Sequence, residues 1–119
     1  MPTNDRKNGT EPVPIGPSVP ATRMFRALSE ERRQQAVVYL TQRAGAIYLG
    51  DLAEYIAIRE GAPSRDRYER ILVDLHHRCL PALVDTGVVT YDPATELVEL
   101  SVPAAEIRPY LDLLPGGPN

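Results

Sequence analysis

Three side chains able to do chemistry lie close together in the stretch LHHRCLPALVDTGVVTYD: His76, His77 and Cys79. Imidazole and thiolate are metal ligands, and a thiolate beside a histidine base is a nucleophile. They are also the only histidines and the only cysteine in the 119 residues. A closed zinc site needs four donors, so carboxylates would have to complete it. A nucleophilic pair needs an accessible thiolate with a base aimed at it. The face each residue occupies decides between these uses. At about 100° per residue, Leu72, Leu75, Cys79 and Leu83 share one arc of a helix, with Tyr68 and Ile71 at its edges. Cys79 is therefore expected in the core, where a free cysteine behaves as a small hydrophobe. His76 falls on the flank of that arc and is expected to hydrogen-bond to a hairpin or loop. His77 points to the opposite side, with Arg67, Arg70, Asp74 and Arg78. The three groups do not converge, so no catalytic residue, metal site or cofactor is expected.

A second kind of chemistry is open to the same helix. Arg65, Arg67, Arg70, His77 and Arg78 form a basic stripe interrupted by Glu69 and Asp74. Guanidinium groups bond phosphate oxygens and the edges of guanine, so such a stripe can read double-stranded DNA. The competing reading is a solvent-facing side laced by ion pairs such as Arg70–Asp74 and Asp74–Arg78. The segment after the helix carries Asp92, Glu96 and Glu99 and no cation, which counts against contact with phosphate there. DNA binding would then rest on this helix, helped by Arg32, Arg33 or the arginine-bearing tail. The net charge of −3 leaves room for a segregated basic face but does not demand one.

The elements that position these residues can be read from periodicity and punctuation. Residues 1–21 are Pro-rich and poor in large apolar groups, as in a disordered tail. A first helix is expected over EERRQQAVVYLTQRA, capped by Ser29 and stopped by Gly45, with Leu28, Val37, Leu40 and Ala44 facing inward and Ala36 and Val38 widening the stripe. Ala46–Leu49 reads as a short strand. Asp51 can cap a second helix, LAEYIAIRE, closed by Gly61; Ser64 can cap a third that begins at Arg65. Pro81 lacks an N–H and should kink this third helix or open a separate last turn, ended by Gly87. VVTY and ELVEL flank the turn DPAT as a β-hairpin. A final helix begins after Pro103, with Ile107, Tyr110, Leu111 and Leu114 on one stripe and Pro109 midway. That stripe can pair with its copy in a homodimer or fold back on the chain's own core.

The order is therefore α+β and mostly α: a three-helix core, a short strand plus a β-hairpin wing, and a C-terminal helix. This is the element order of a winged helix-turn-helix domain. The expected domain spans residues 22–102, with the C-terminal helix over 103–114 and a frayed end at 115–119. LSEERRQQAVVYL, IYLGDLAEYIA and RYERILVDLHHRCLPALVDTGVVTYD resemble a haloarchaeal winged-helix family of unknown function. The resemblance covers about residues 27–101 and is most specific at Leu80-Pro81, Gly87-Val88-Val89 and Tyr91-Asp92. The family's histidine slot falls at His76 or His77, with a spacing to Leu80-Pro81 that departs from the pattern. The resemblance implies a winged-helix fold and a regulator-like role, and carries over no catalytic residue.

Composition narrows the classes further. Hydrophobic residues make up 43% and aromatics only 6%, so the core must be built from Leu, Val, Ile and Ala. A single cysteine excludes an internal disulfide. No apolar run is long enough to span a membrane, and the N-terminus lacks a secretory h-region, so cytoplasmic residence is expected. Of thirteen basic residues only Lys7 is lysine, a bias that fits a GC-rich or salt-tolerant source. The expected function is that of a dimeric DNA-binding transcriptional regulator, not an enzyme. The alternative is a protein-interaction module that uses the acidic wing and the last helix.

Overall fold

The computed structural model describes residues 19–61 and 63–115. The chain is α+β and mostly helical, compatible with a winged-helix-like fold. Its elements are α1 (Ala21–Ala27), α2 (Glu31–Thr41), β1 (Ile47–Tyr48), α3 (Leu49–Arg59), α4 (Arg65–Asp74), α5 (Leu80–Thr86), β2 (Val89–Asp92), β3 (Leu97–Leu100) and α6 (Ala104–Asp112), with a π-helical turn, Leu75–Cys79, joining α4 to α5. The first, second, third and last helices expected from sequence are α2, α3, α4 and α6. Most of the expected tail and the chain end lie outside the described residues.

One helix was not expected. α1 starts after Pro20 with no side-chain cap and buries Met24 and Ala27. Arg33 of α2, itself only 7% exposed, closes its far end by donating to the carbonyls of Arg26 and Ala27 at 3.1 and 2.9 Å. These are carbonyls that a helix C-terminus leaves without partners. Val19, ahead of α1, is buried, and its N–H donates to Glu106 of α6 at 3.1 Å. The folded body thus begins ahead of residue 22.

Caps and stops differ from expectation in detail. Ser29 turns back to bond the Arg26 carbonyl, and Glu30 takes the N-cap position of α2. α2 ends at Thr41, where Arg108 of α6 reaches its last carbonyl at 3.2 Å, so Ala44 is exposed rather than part of the inward stripe. α3 begins at Leu49, which places Asp51 in its first turn instead of at the cap. Ser64 does cap α4, accepting from the Arg67 N–H at 3.1 Å. Gly61 and Gly87 close α3 and α5 with φ of +83° and +87°, values that favour glycine.

Pro81 opens a separate last helix, α5, as expected, and a π-helical turn joins that helix to α4 in one helical rod. The Leu80 N–H reaches back five residues to the Leu75 carbonyl, widening the turn immediately before the proline. A proline has no N–H to bond the carbonyl four residues back, and its ring crowds that carbonyl. The π-helical turn shifts the register ahead of it, so α5 can start with Pro81 in its first turn, where no N–H is needed.

The sheet is three-stranded and antiparallel in the order β1-β3-β2. Val89 to Asp92 pair with Leu100 to Leu97, and Ile47 and Tyr48 pair with Val98 and Leu97. The hairpin alone would be marginal; β1 gives it a third strand and ties it to the start of α3. Val89 and Val98 face the helices, and the core is closed by Leu40, Leu52, Ile56, Ile71, Leu75, Leu83, Ile107 and Leu111, all at most 1% exposed. No helix among the described residues is long and apolar enough to cross a membrane.

Candidate functional site

The histidines and the cysteine take separate paths. Cys79 is fully buried, and its Sγ donates to Asp74 Oδ2 at 3.4 Å. This pairing spans five residues and is a product of the π-helical turn. Burial, reinforced by the neighbouring Asp74 charge, pushes the thiol up to about 12. A thiol in that state is a poor nucleophile near neutral pH. His76 is exposed and meets the hairpin through an edge-to-face contact with the Tyr91 ring, centroids 6.1 Å apart, rather than through the expected hydrogen bond. His77 is exposed beside it. Among the described residues, no three His, Cys, Asp or Glu side chains come together to hold a metal ion.

The arginines of the rod divide into two groups. On the side facing α2 and the end of α3, Arg67 reaches Glu60 at 3.1 Å. Glu60 also accepts from Arg32 at 2.8 Å, and Arg32 bridges on to Asp74 at 2.8 Å. Asp74 takes Arg78 at 2.7 Å, and Arg78 reaches Glu30 at 2.8 Å. The result is a chain of alternating charges, Arg67–Glu60–Arg32–Asp74–Arg78–Glu30, that laces α2, α3 and the rod together. Its middle is sheltered: Arg32, Glu60 and Asp74 side chains are 26%, 19% and 18% exposed. Burial opposes the charge on Asp74, but hydrogen bonds from Arg78, Arg32 and Cys79 outweigh it and hold the carboxyl at about 2. The hydrogen bond from Arg32 likewise holds Glu60 below its ordinary range. Arg32 and Arg33, considered above as auxiliary DNA contacts, are thus committed inside the fold, to carboxylates and to the end of α1.

The outer side of α4 is different. Arg65 pairs with Glu69 at 3.3 Å and Arg70 with Asp66 at 3.1 Å, and all four side chains are more than half exposed. Arg70 does not use Asp74 as expected, because Arg32 and Arg78 fill that carboxylate. Of the five candidate DNA contacts, Arg65, Arg70 and His77 stand on the open side. Arg67 and Arg78 belong to the network instead, although both remain partly accessible.

The expected dimer stripe also splits. Ile107 and Leu111 are 0% and 1% exposed on the chain's own core, so they cannot face a second copy in the folded chain. Tyr110 and Leu114 are half-buried against that core. The outer side of α6 instead presents Leu113, 71% exposed, and the Tyr110 ring, which packs edge-on against the half-exposed Phe25 of α1 at 5.2 Å.

A family model described as a domain of unknown function, DUF7344, matches residues 25–99. The chain belongs to the DUF7344 family. The match runs from α1 into β3, so the DUF7344 segment holds the whole ion-pair network and the outer side of α4, and α6 follows it. The chain matches no curated protein and no solved structure.

Proposed function

We propose that this DUF7344 chain is a winged-helix, DNA-binding transcriptional regulator, a binding protein rather than an enzyme, of the haloarchaeal kind its motifs resemble. α4 is the recognition helix in this reading, and β2–β3 is the wing. The observation that carries it is the outer side of α4: Arg65 and Arg70 near its capped N-terminus, held only by exposed pairs four residues apart. Such pairs are worth roughly 0.2–1 kcal/mol, so a phosphate or a guanine edge can replace Asp66 or Glu69 at little cost. The wing, with Asp92, Glu96 and Glu99, stands off the phosphates, and contact is confined to α4.

Binding of the full chain to genomic DNA fragments across a salt series tests this reading. Affinity is expected to fall as salt rises, and Arg65→Glu/Arg70→Glu is expected to abolish binding with the circular dichroism unchanged. Absence of binding at low salt, with an intact fold, would overturn it.

The exposed Leu113 and Phe25, with the half-buried Tyr110 ring against Phe25, favour a second reading, in which α1 and the end of α6 present an apolar face to a partner protein or to a second copy. A mass measurement across a dilution series separates a homodimer from a monomer that needs a different partner.

A further inference from the structure

A groove of about 830 Å³ opens between the start of α3, the start of α4 and the turn between β2 and β3. Tyr48, Ile58, Pro63 and Tyr68 give it apolar walls. Tyr48 and Ile58 are 60% and 58% exposed, so this side of the molecule leaves large apolar side chains uncovered. The floor depends on Gly50: a Cβ there would come within 3.0 Å of the Tyr68 hydroxyl. The rim carries Asp51, Glu54 and Glu96. Among the described residues none of these three carboxylates has an ion-pair partner, whereas Glu30, Glu60, Asp66, Glu69 and Asp74 are all matched by arginine. Among the described residues that line the groove, the one cation, Arg65, is paired with Glu69. Glu96 is fixed at the rim because its carbonyl accepts the Leu49 N–H at 2.9 Å.

Apolar walls and uncompensated negative charge select the occupant. An anion would meet three carboxylates, and a purely apolar segment would leave them unanswered. A guanidinium or ammonium on a long alkyl stem satisfies both: the stem lies on apolar surface, the cation meets carboxylates, and tyrosine ring faces attract cations. We propose that this groove docks a partner protein through a cationic segment, whose arginine or lysine is met by Asp51, Glu54 and Glu96 and whose apolar neighbours lie on Tyr48, Tyr68 and Ile58. The groove adjoins the outer side of α4 at Arg65, but its carboxylates lie on α3 and the turn between β2 and β3, so the docking proposal stands whether or not α4 contacts DNA.

The test uses the full chain and a fluorescein-labelled peptide of alternating arginine and leucine, followed by anisotropy at low salt. Asp51→Asn/Glu54→Gln is expected to weaken binding about tenfold, the loss of one or two modest charge contacts. Asp85→Asn/Asp112→Asn, which removes the same charge outside the groove, is expected to change it less than about twofold. Tyr48→Ala should weaken binding without changing its salt dependence. Equal losses in the two charge variants would reduce the effect to bulk attraction and overturn the proposal, as would no binding at low salt. Tighter peptide binding by Arg6→Glu/Lys7→Glu would also overturn it, by making the chain's own N-terminal segment the occupant.

Discussion

On the flank of α4 that faces α2, Arg67 and the neighbouring Arg78 end in carboxylates supplied by other elements or sheltered by them. On the outer flank, Arg65 and Arg70 end in carboxylates of the same helix, open to water. The residue types are the same and the pair distances similar; the surroundings differ. Shelter of Glu60 and Asp74 turns the pairs they accept into cross-links, because removing an arginine weakens the compensation of a partly buried charge. Exposure leaves the outer pairs weak and exchangeable. α6 repeats the contrast in apolar form, with Ile107 and Leu111 sealed in the core while Leu113 faces out. Charge on a helix is therefore no guide to contact with a ligand until the side chain's existing partner is known.

The largest effect expected from this division is on α6. Leu111→Ala should cost about 2–5 kcal/mol in chemical denaturation, independent of protein concentration, as a core cavity does. A loss that vanished on dilution would return Leu111 to an interface. Next is the network's centre. Arg32→Ala leaves the sheltered Glu60 and Asp74 with one arginine each, Arg67 and Arg78, and should cost about 1–3 kcal/mol, below the figure for a fully buried pair because the side chains retain some exposure and a remaining partner.

Acid should act on the same flank. Asp74 drops from an ordinary value of 3.8 to about 2 in the folded chain. A depressed carboxyl contributes stability that is complete above its unfolded value and lost as pH falls through its folded one. Between about pH 4 and pH 2 roughly 1–2 kcal/mol should disappear through Asp74, with Glu60 adding in the same direction. Asp74→Asn should flatten that part of the stability curve; an unchanged slope would remove Asp74 from the network. The smallest effect belongs to the outer flank, where Arg65→Ala and Arg70→Ala should each change stability by less than about 0.5 kcal/mol.

Much of this fold is legible in the sequence where signals are local. Ser64 before Arg65, Gly61 and Gly87 after their helices, and the alternation around DPAT each specify a boundary with the residue that enforces it. Cys79 could be assigned to the core from its place among Leu72, Leu75 and Leu83. α1 was hidden because it follows a Pro-rich run and has no side-chain cap; its signal was the apolar spacing of Met24, Ala27 and Leu28. The π-helical turn was hidden because Pro81 announces a disturbance but not its form. The network was out of reach for another reason. Arg32 lies 28 and 42 residues from its two carboxylates, and no periodicity links positions brought together only by packing. The basic stripe on α4 could be seen in the sequence, but its division into two flanks could not.

One paired measurement tests that division most directly: thermal stability and DNA affinity for Arg65→Ala/Arg70→Ala beside Arg67→Ala/Arg78→Ala. The outer pair should keep its melting temperature and lose DNA affinity with a shallower salt dependence. The inner pair should lose stability and, at a temperature where it remains folded, keep most of its affinity. The reverse pattern, with the inner pair controlling DNA binding and the outer pair controlling stability, would contradict the account.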